Sequence, residues 1–105
     1  MSDATAEPAR LGIDGPIATI ALDRPAAFNA INLAIAKRLE QLAAKVEADA
    51  TIRVLILKGE GRAFCAGGDL QTIGAAAEAD TITPVVSELL HHYHGFIAHL
   101  RRMPK

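Results

Sequence analysis

The sequence predicts an α/β fold in which a β-hairpin leads through a helix to a buried parallel strand, a glycine-rich loop and a long second helix. Two observations support this prediction. Short β-branched runs alternate with longer stretches whose apolar residues recur every three or four positions. In chain order these stretches predict strand, helix and strand, which is typical of a parallel βαβ unit.

The composition indicates one small globular domain. The 105 residues are 50% hydrophobic and 22% charged, and the formal net charge is −1. Interspersed charges argue against a nucleic-acid surface, which needs clustered Lys and Arg. No apolar run approaches the length of about 20 residues that spans a bilayer, so we expect neither a nucleic-acid nor a membrane partner. The single cysteine, Cys65, fits a reducing compartment, and we expect a cytoplasmic protein.

We expect residues 1–10 to form a flexible polar lead, because they lack the basic start and apolar run of a secretory signal. Residues 11–105 then form the domain. Its first apolar stretches, 11–13 and 17–22, flank the turn signal Asp14-Gly15 and predict a β-hairpin. Pro25 ends the second strand because it has no amide proton to donate.

The next segment predicts a helix followed by a strand. Asn32 is placed as the N-cap, and the apolar stripe recurs at steps of four, three and four residues: Ile35, Leu39, Leu42 and Val46. The continuous apolar run within Arg53–Lys58 predicts a strand that is buried on both faces of a parallel sheet.

The second half predicts two helices of unequal length. Asp69 is placed to cap a short helical turn that ends at about Ile73, and residues 74–83 predict a mobile, partly helical connection. Thr83 as cap and Pro84 at the first helical position then begin a long helix to about Arg102. Its predicted apolar stripe is Val86, Leu89, Leu90, Tyr93, Ile97 and Leu100.

The loop between the buried strand and Asp69 is the leading candidate site. Residues 59–68 contain four glycines, too many for a regular element. The loop leaves the carboxyl end of the strand, where ligands bind in open α/β sheets. Gly67-Gly68 allows close approach of the backbone, and a turn into a helix leaves amides free to hold an oxyanion. The alternative is a tight turn without a ligand.

Other candidate residues have a simpler structural interpretation beside the functional one. Asp69 is either a catalytic carboxylate or a helix cap, and its place after two glycines favours the cap. Cys65 is either a nucleophile or a small packing residue, and no base stands beside it in the sequence. We therefore expect a cap and a packing residue.

The histidines and late carboxylates have the same two interpretations. His91 and His94 share a helix face with Glu88 one turn earlier, but a metal site needs a third firm ligand, so we expect no metal. Glu78 and Asp80 lie in the weakly patterned connection and Glu88 on a helix, so surface positions are favoured over a general acid/base role.

Four strings stand in a fixed order along the chain: Leu22-Asp-Arg-Pro25, Asn29-Ala-Ile-Asn32, Arg53-Val-Leu-Ile-Leu57 and Gly59-Glu-Gly-Arg-Ala-Phe-Cys-Ala-Gly-Gly-Asp-Leu70. Together they resemble the opening third of the enoyl-CoA hydratase/isomerase (crotonase) family, over residues 10–105. The resemblance implies the N-terminal part of that family's ββα spiral fold.

The same resemblance implies an acyl-CoA thioester substrate and either hydration of a 2-enoyl-CoA or isomerisation of its double bond. Coenzyme A is then part of the substrate, and no tightly bound cofactor is expected. Two backbone amides hold the thioester oxygen in this family, and the first falls on Gly68. The residues that the resemblance places along coenzyme A are Ala26, Phe28, Ala30, Ala66, Gly67, Gly68, Asp69 and Leu70.

Two features of the resemblance limit this prediction. Ala26-Ala27-Phe28 stands where the family often has Lys or Arg, which weakens the expectation that this loop binds phosphate. No segment matches the family's second oxyanion donor or its acid/base carboxylates. Because Leu100–Lys105 resembles the segment before the family's next strand, we expect a truncated piece of a longer enzyme, trimeric or hexameric when complete. The alternative is a non-catalytic module that binds subunits through its sheet edge and helix faces.

Overall fold

The computed structural model describes residues 8–105. Its elements are strands β1 (Ala9–Asp14), β2 (Ile17–Leu22) and β3 (Val54–Gly59) and helices α1 (Leu33–Ala48), α2 (Leu70–Glu78) and α3 (Ile82–Arg102). This order confirms the predicted α/β arrangement. Of the polar lead expected over residues 1–10, residues 1–7 lie outside the described residues, whereas Ala9 and Arg10 belong to β1.

The three strands form one sheet in the order β1-β2-β3. β1 and β2 are antiparallel, with Asp14 opposite Ile17, and Gly15 turns the hairpin at a φ of 61°. β2 and β3 are parallel, with Ile20 opposite Leu57, so α1 is the connection of a βαβ unit. The hairpin and the parallel pairing are both as predicted.

Helix α1 begins and packs as its sequence indicates. The Oδ1 atom of Asn32 accepts a hydrogen bond from the amide of Ile35 at 2.9 Å, which satisfies one of the unpaired amides of the first turn. All four residues of the predicted stripe are buried and form the centre of the core with strand β2: Ile35, Leu39, Leu42 and Val46.

The prediction that β3 is buried on both faces is wrong for the described part of the chain. The side chains of Val54, Ile56 and Leu57 are 47%, 44% and 38% exposed. Among residues 8–105 no strand pairs with the outer edge of β3, which is an edge strand of the sheet. An apolar run shows that a strand suits a buried place, but it does not show which element covers it.

The second half also differs from the prediction in detail. Helix α2 continues to Glu78 instead of ending at about Ile73, so only residues 79–81 connect it to α3. The N-cap of α3 is Thr81 rather than Thr83, and its hydroxyl donates to the carbonyl of Ala76 at 3.3 Å. Pro84 is therefore in the first turn but not at its first position, which is allowed because first-turn amides have no helical partner.

Helix α3 packs along α1 with a face that is rotated from the predicted one. Leu89 and Phe96 are its buried residues, while Leu90 and Ile97 of the predicted stripe are 42% and 37% exposed. Phe96, which the periodicity left outside the predicted stripe, is thus part of the buried face of α3.

Two histidine–glutamate pairs join α1 and α3. His92 Nδ1 lies 2.6 Å from Glu40 Oε1, and His99 Nδ1 lies 2.5 Å from Glu47 Oε1. The pairs are seven residues apart on both helices, and the Nε atom of Arg102 joins Glu47 at 3.3 Å. Hydrogen bonds from His99 and then Arg102 hold the pKa of the Glu47 carboxyl below its ordinary value.

We expect Glu47→Gln to destabilise the fold at neutral pH and to have a smaller effect in acid. A carboxyl whose pKa is lowered by folding stabilises the fold above its unfolded pKa of about 4.3, and this stabilisation is lost as the pH falls through the folded pKa. Urea unfolding of both proteins at pH 7 and pH 3 measures the difference. Glu78→Gln, at the exposed end of α2, is the matched control. An equal destabilisation at both pH values would contradict the charge-based explanation.

A second prediction concerns Gly59, at the end of β3. A Cβ atom there would lie closer than 3.0 Å to the carbonyl oxygens of Phe64 and Ala63 and to the side-chain nitrogen of Asn29. We expect Gly59→Ala to cost about 1–3 kcal/mol, the usual range for overpacking. Gly12→Ala is the control, because nothing lies within 4 Å of its added atom. Chemical denaturation that shows equal stabilities for the two variants would contradict this assignment.

Candidate functional site

The glycine-rich loop lies against the loop that follows β2. The amide of Ala66 donates to the carbonyl of Phe28 at 3.0 Å. The amide of Ile31 donates to the carbonyl of Gly67 at 2.7 Å, and the amide of Asp69 donates to the carbonyl of Ile31 at 3.0 Å. Ile31 and Gly68 thus form an isolated parallel bridge, and the two loops become one unit.

This bridge fixes the direction of the Gly68 amide. The carbonyl and the N–H group of a trans peptide point in opposite directions. Because the carbonyl of Gly67 accepts from Ile31, the N–H of Gly68 on the same peptide points away from Ile31. Gly68 is exposed, and its amide donates no hydrogen bond to any part of the chain that the structure describes. It is an oriented and unused donor.

Gly67 makes the turn possible. Its φ of 110° lies in the region that residues with a Cβ atom rarely adopt. Gly68 carries no such requirement, since a Cβ atom there would meet only the Cδ1 of Ile73 at an ordinary 3.5 Å. The backbone shape of the turn therefore requires a glycine at position 67, whereas position 68 has space for a Cβ atom.

Asn29 holds the two loops together and was not singled out by the sequence. Its side chain is fully buried, donates to the carbonyls of Glu60 at 2.9 Å and Ala63 at 2.8 Å, and accepts from the amide of Arg24 at 2.7 Å. Its φ of 59° is left-handed, a conformation in which Asn is enriched. The preference of Asn for this conformation is the one feature that could have indicated Asn29. It gives no information about the hydrogen-bond partner Ala63, which lies 34 residues away in the sequence.

Asp69 is the N-cap of α2, as predicted. Its Oδ1 atom accepts from the amide of Gln71 at 2.9 Å, and its Oδ2 atom lies 2.9 Å from Arg24 Nη1. Burial of the carboxyl acts to raise its pKa, but the hydrogen bonds from Arg24 and Gln71 outweigh burial and hold the pKa below its ordinary value. Asp69 is therefore an ionised structural carboxylate. Arg24 is a second residue that sequence reasoning missed.

Most of the residues predicted to contact coenzyme A lie together. A groove of about 550 Å³ is lined by Arg24, Ala27 and Gln71 together with seven predicted residues: Ala26, Phe28, Ala30, Ala66, Gly68, Asp69 and Leu70. The eighth, Gly67, lies with Gly68 in an adjoining apolar cavity of about 170 Å³, whose other walls are Ile31, Leu89, Leu90 and Tyr93. Gly68 is the residue shared by both spaces.

The other candidates stand outside this groove. Cys65 is half-buried and packs against the main core, as expected of a packing residue. His92 and His99 face the carboxylates of α1, while His91 and His94 are exposed. Among residues 8–105 no three His, Cys, Asp or Glu side chains are grouped so that they could hold a metal ion.

Within the same range, none of the helices has the length and apolar character needed to cross a membrane.

Comparison with known proteins identifies the family. The sequence model of the enoyl-CoA hydratase/isomerase family matches residues 17–105. A Mycobacterium tuberculosis protein named "Probable enoyl-CoA hydratase" is 32% identical over 92 residues, which are 88% of this chain and 34% of that protein. A Streptococcus mutans trans-2-decenoyl-[acyl-carrier-protein] isomerase is 30% identical over 95 residues, 89% of this chain and 35% of that protein. The chain thus spans about a third of these relatives.

Solved structures of enoyl-CoA hydratases are also similar to this chain. An enoyl-CoA hydratase/carnithine racemase from Magnetospirillum magneticum superimposes with a TM-score of 0.80 at 28% identity, over 95% of this chain and 37% of that one. An enoyl-CoA hydratase from Bacillus halodurans, 21% identical, shares the fold with a TM-score of 0.83 over 94% of this chain and 39% of that one. The fold is that of the N-terminal part of the crotonase domain, and the chain belongs to the enoyl-CoA hydratase/isomerase family.

Proposed function

We propose that this chain supplies the thioester-binding part of an acyl-CoA-processing active site, with the amide of Gly68 as the first of two oxyanion donors. The observation that carries the proposal is the free amide of Gly68 at the junction of the groove and the apolar cavity. Relatives named as an enoyl-CoA hydratase and as a 3-hydroxyisobutyryl-CoA hydrolase support a CoA thioester as the substrate.

The chemistry favours a fixed backbone donor. Removal of a proton from the carbon beside a thioester carbonyl, or addition of water to the double bond of a 2-enoyl thioester, gives an enolate whose negative charge lies on the carbonyl oxygen. An amide that is already oriented needs no reorganisation when that charge develops, and each such donor is worth about 3–4 kcal/mol in the transition state. The hydrogen bonds of Gly67 and Asp69 to Ile31 provide this orientation before any ligand arrives.

The charges around Gly68 are also compatible with an oxyanion. The carboxylate of Asp69 stands next in the chain and would repel negative charge, but Arg24 lies 2.9 Å from it and neutralises it. The amino end of α2, which begins at Leu70, adds the positive end of a helix dipole. The net local field therefore favours a developing negative charge.

The groove suits the arm of coenzyme A. Four of its lining residues are alanines, so a ligand can approach the backbone: Ala26, Ala27, Ala30 and Ala66. Phe28 and Leu70 are 53% and 81% exposed at the groove, an arrangement typical of a ligand-contacting surface. Arg24 is the one basic residue among those that line it, and it is engaged with Asp69. We therefore infer contact along the arm with little contribution from its phosphates.

The remaining parts of the reaction fall outside this chain in our proposal. The second oxyanion donor and the acid/base carboxylates come from further segments of a complete enzyme, which hydrates a 2-enoyl-CoA or isomerises its double bond. That enzyme uses coenzyme A as part of its substrate without a tightly bound cofactor, acts in the cytoplasm and assembles as a homotrimer or hexamer.

A titration of the isotope-labelled chain tests the role of Gly68. We expect acetoacetyl-CoA to bind weakly, with a Kd of about 1 mM or above, equivalent to about −4 kcal/mol, and to shift the Gly68 amide proton downfield in NMR spectra. Free coenzyme A, which has no thioester oxygen, should not produce this shift. Absence of the shift with acetoacetyl-CoA at saturation would overturn the proposal.

Two substitutions at the same position sharpen the test. Gly68→Ala keeps the amide and meets only Ile73 at an ordinary distance, so we expect it to keep the preference for acetoacetyl-CoA over free coenzyme A. Gly68→Pro removes the amide proton, which neither of the hydrogen bonds of Gly67 and Asp69 to Ile31 uses, so we expect that preference to disappear. Equal preferences in the two variants would show that the donor is not used.

A second candidate function rests on the edge strand β3. Its exposed Val54, Ile56 and Leu57 adjoin an outer edge with which no strand among residues 8–105 pairs. Such an edge is a template for pairing with another chain. On this alternative, the protein is a non-catalytic module that binds related subunits through the sheet edge.

The alternative predicts self-association that depends on β3. We expect Ile56→Lys to raise the monomer fraction in sedimentation velocity experiments, because a charge on an edge strand opposes pairing. Ile82→Lys on α3 is the control, since Ile56 and Ile82 are similarly exposed, at 44% and 41%. A monomeric parent protein, or equal effects of both substitutions, would exclude β3 as the interface.

A further inference from the structure

We propose that Arg24 is a positioning residue for the Gly68 amide: its ion pair with Asp69 ties the two loops together beside the oxyanion donor. This inference rests on the proposed function of Gly68 and adds the residue that sets the donor's orientation. Arg24 and Asp69 lie 45 positions apart in the sequence, and their side chains are 27% and 9% exposed.

The contacts of Arg24 link both sides of the bridge. Its Nη1 atom donates to the carbonyl of Ala30 at 3.0 Å and lies 2.9 Å from Asp69 Oδ2. Ala30 directly precedes Ile31, and Asp69 directly follows Gly68. One nitrogen atom therefore binds both segments, one residue away from the bridge formed by Ile31 and Gly68.

The bridge itself needs this support. It is isolated and rests on two backbone hydrogen bonds, from Ile31 to Gly67 and from Asp69 to Ile31. Gly67, with its φ of 110°, adds backbone freedom at the same point. A charge-assisted hydrogen bond at a largely buried carboxylate is stronger and less screened than a surface pair. The ion pair thus restrains the two segments on either side of the bridge.

The two carboxylate oxygens of Asp69 have different partners. Oδ1 caps helix α2 through the amide of Gln71, and Oδ2 binds Arg24. Asp69→Asn keeps a good capping side chain while it removes the charge that Arg24 binds. Arg24→Gln removes the cation, whereas Arg24→Lys keeps one nitrogen with three donors that can reach both partners.

Hydrogen exchange in the ligand-free chain tests whether the ion pair between Arg24 and Asp69 restrains the two loops. We expect Arg24→Gln and Asp69→Asn to speed exchange of the amides of Ile31 and residue 69 by about tenfold or more, the size set by loss of a charge-assisted hydrogen bond. The amides of β2 should keep their exchange rates, and Arg24→Lys should restore most of the protection. Arg10→Gln is the matched control, since Arg10 forms its ion pairs with Asp23 and Glu60 outside the groove.

The ligand experiment adds a signature that a general loss of stability would not produce. In Arg24→Gln we expect the downfield shift of the Gly68 amide with acetoacetyl-CoA to fall to the size seen with free coenzyme A. The positioning role of Arg24 would be overturned if the amide of Ile31 exchanged no faster in Arg24→Gln and Asp69→Asn than in Arg10→Gln. A different outcome is possible in which the Gly68 amide of the parent protein does not shift with acetoacetyl-CoA but the exchange rates of the variants change as expected. This outcome would refute the donor role of Gly68 and support the structural role of the ion pair between Arg24 and Asp69.

Discussion

The geometry of the candidate site depends on the buried side chain of Asn29. A buried amide group carries two donor protons and an acceptor oxygen, and each unpaired one costs about 1–3 kcal/mol. Asn29 uses both donor protons on the carbonyls of Glu60 and Ala63 and its oxygen on the amide of Arg24. The same residue thus fixes the start of one loop and the course of the other. Gly59 provides the space, because any Cβ atom there would collide with the amide nitrogen of Asn29.

The hydrogen bonds of Asn29 restrain both loops, which meet again at the bridge formed by Ile31 and Gly68. With residues 60–63 fixed, Ala66 reaches Phe28, and Gly67 and Asp69 reach Ile31. The Gly68 amide is left as a donor that points out of this unit. Its orientation is therefore a consequence of backbone hydrogen bonds and one ion pair, and the side chains of the glycine-rich loop have little part in it.

The sequence predicted the features that depend on near neighbours. The hairpin at Gly15, the caps at Asn32 and Asp69 and the apolar stripe of α1 each follow from residues within one or two turns. The groove was predicted only through a resemblance to known sequences. Features that join distant residues were missed, because no local pattern pairs Asn29 with Ala63 or His92 with Glu40. The burial of β3 was predicted wrongly for the same reason, since an apolar run contains no information about the elements that pack beside it.

The two exposed apolar regions, strand β3 and the groove, differ in how many of their backbone groups have no hydrogen-bond partner among the described residues. β3 presents a whole edge to which no strand among residues 8–105 is bound, and such a row of donors and acceptors is a template for pairing with another extended segment. Beside the groove, by contrast, the carbonyls of Phe28 and Gly67 and the amide of Asp69 have backbone partners, and the amide of Gly68 is a free donor among the described residues. One donor suits one acceptor atom, such as a thioester oxygen. The backbone of β3 thus suits pairing with another extended segment, whereas the groove suits a small ligand, and the two features lie on separate surfaces.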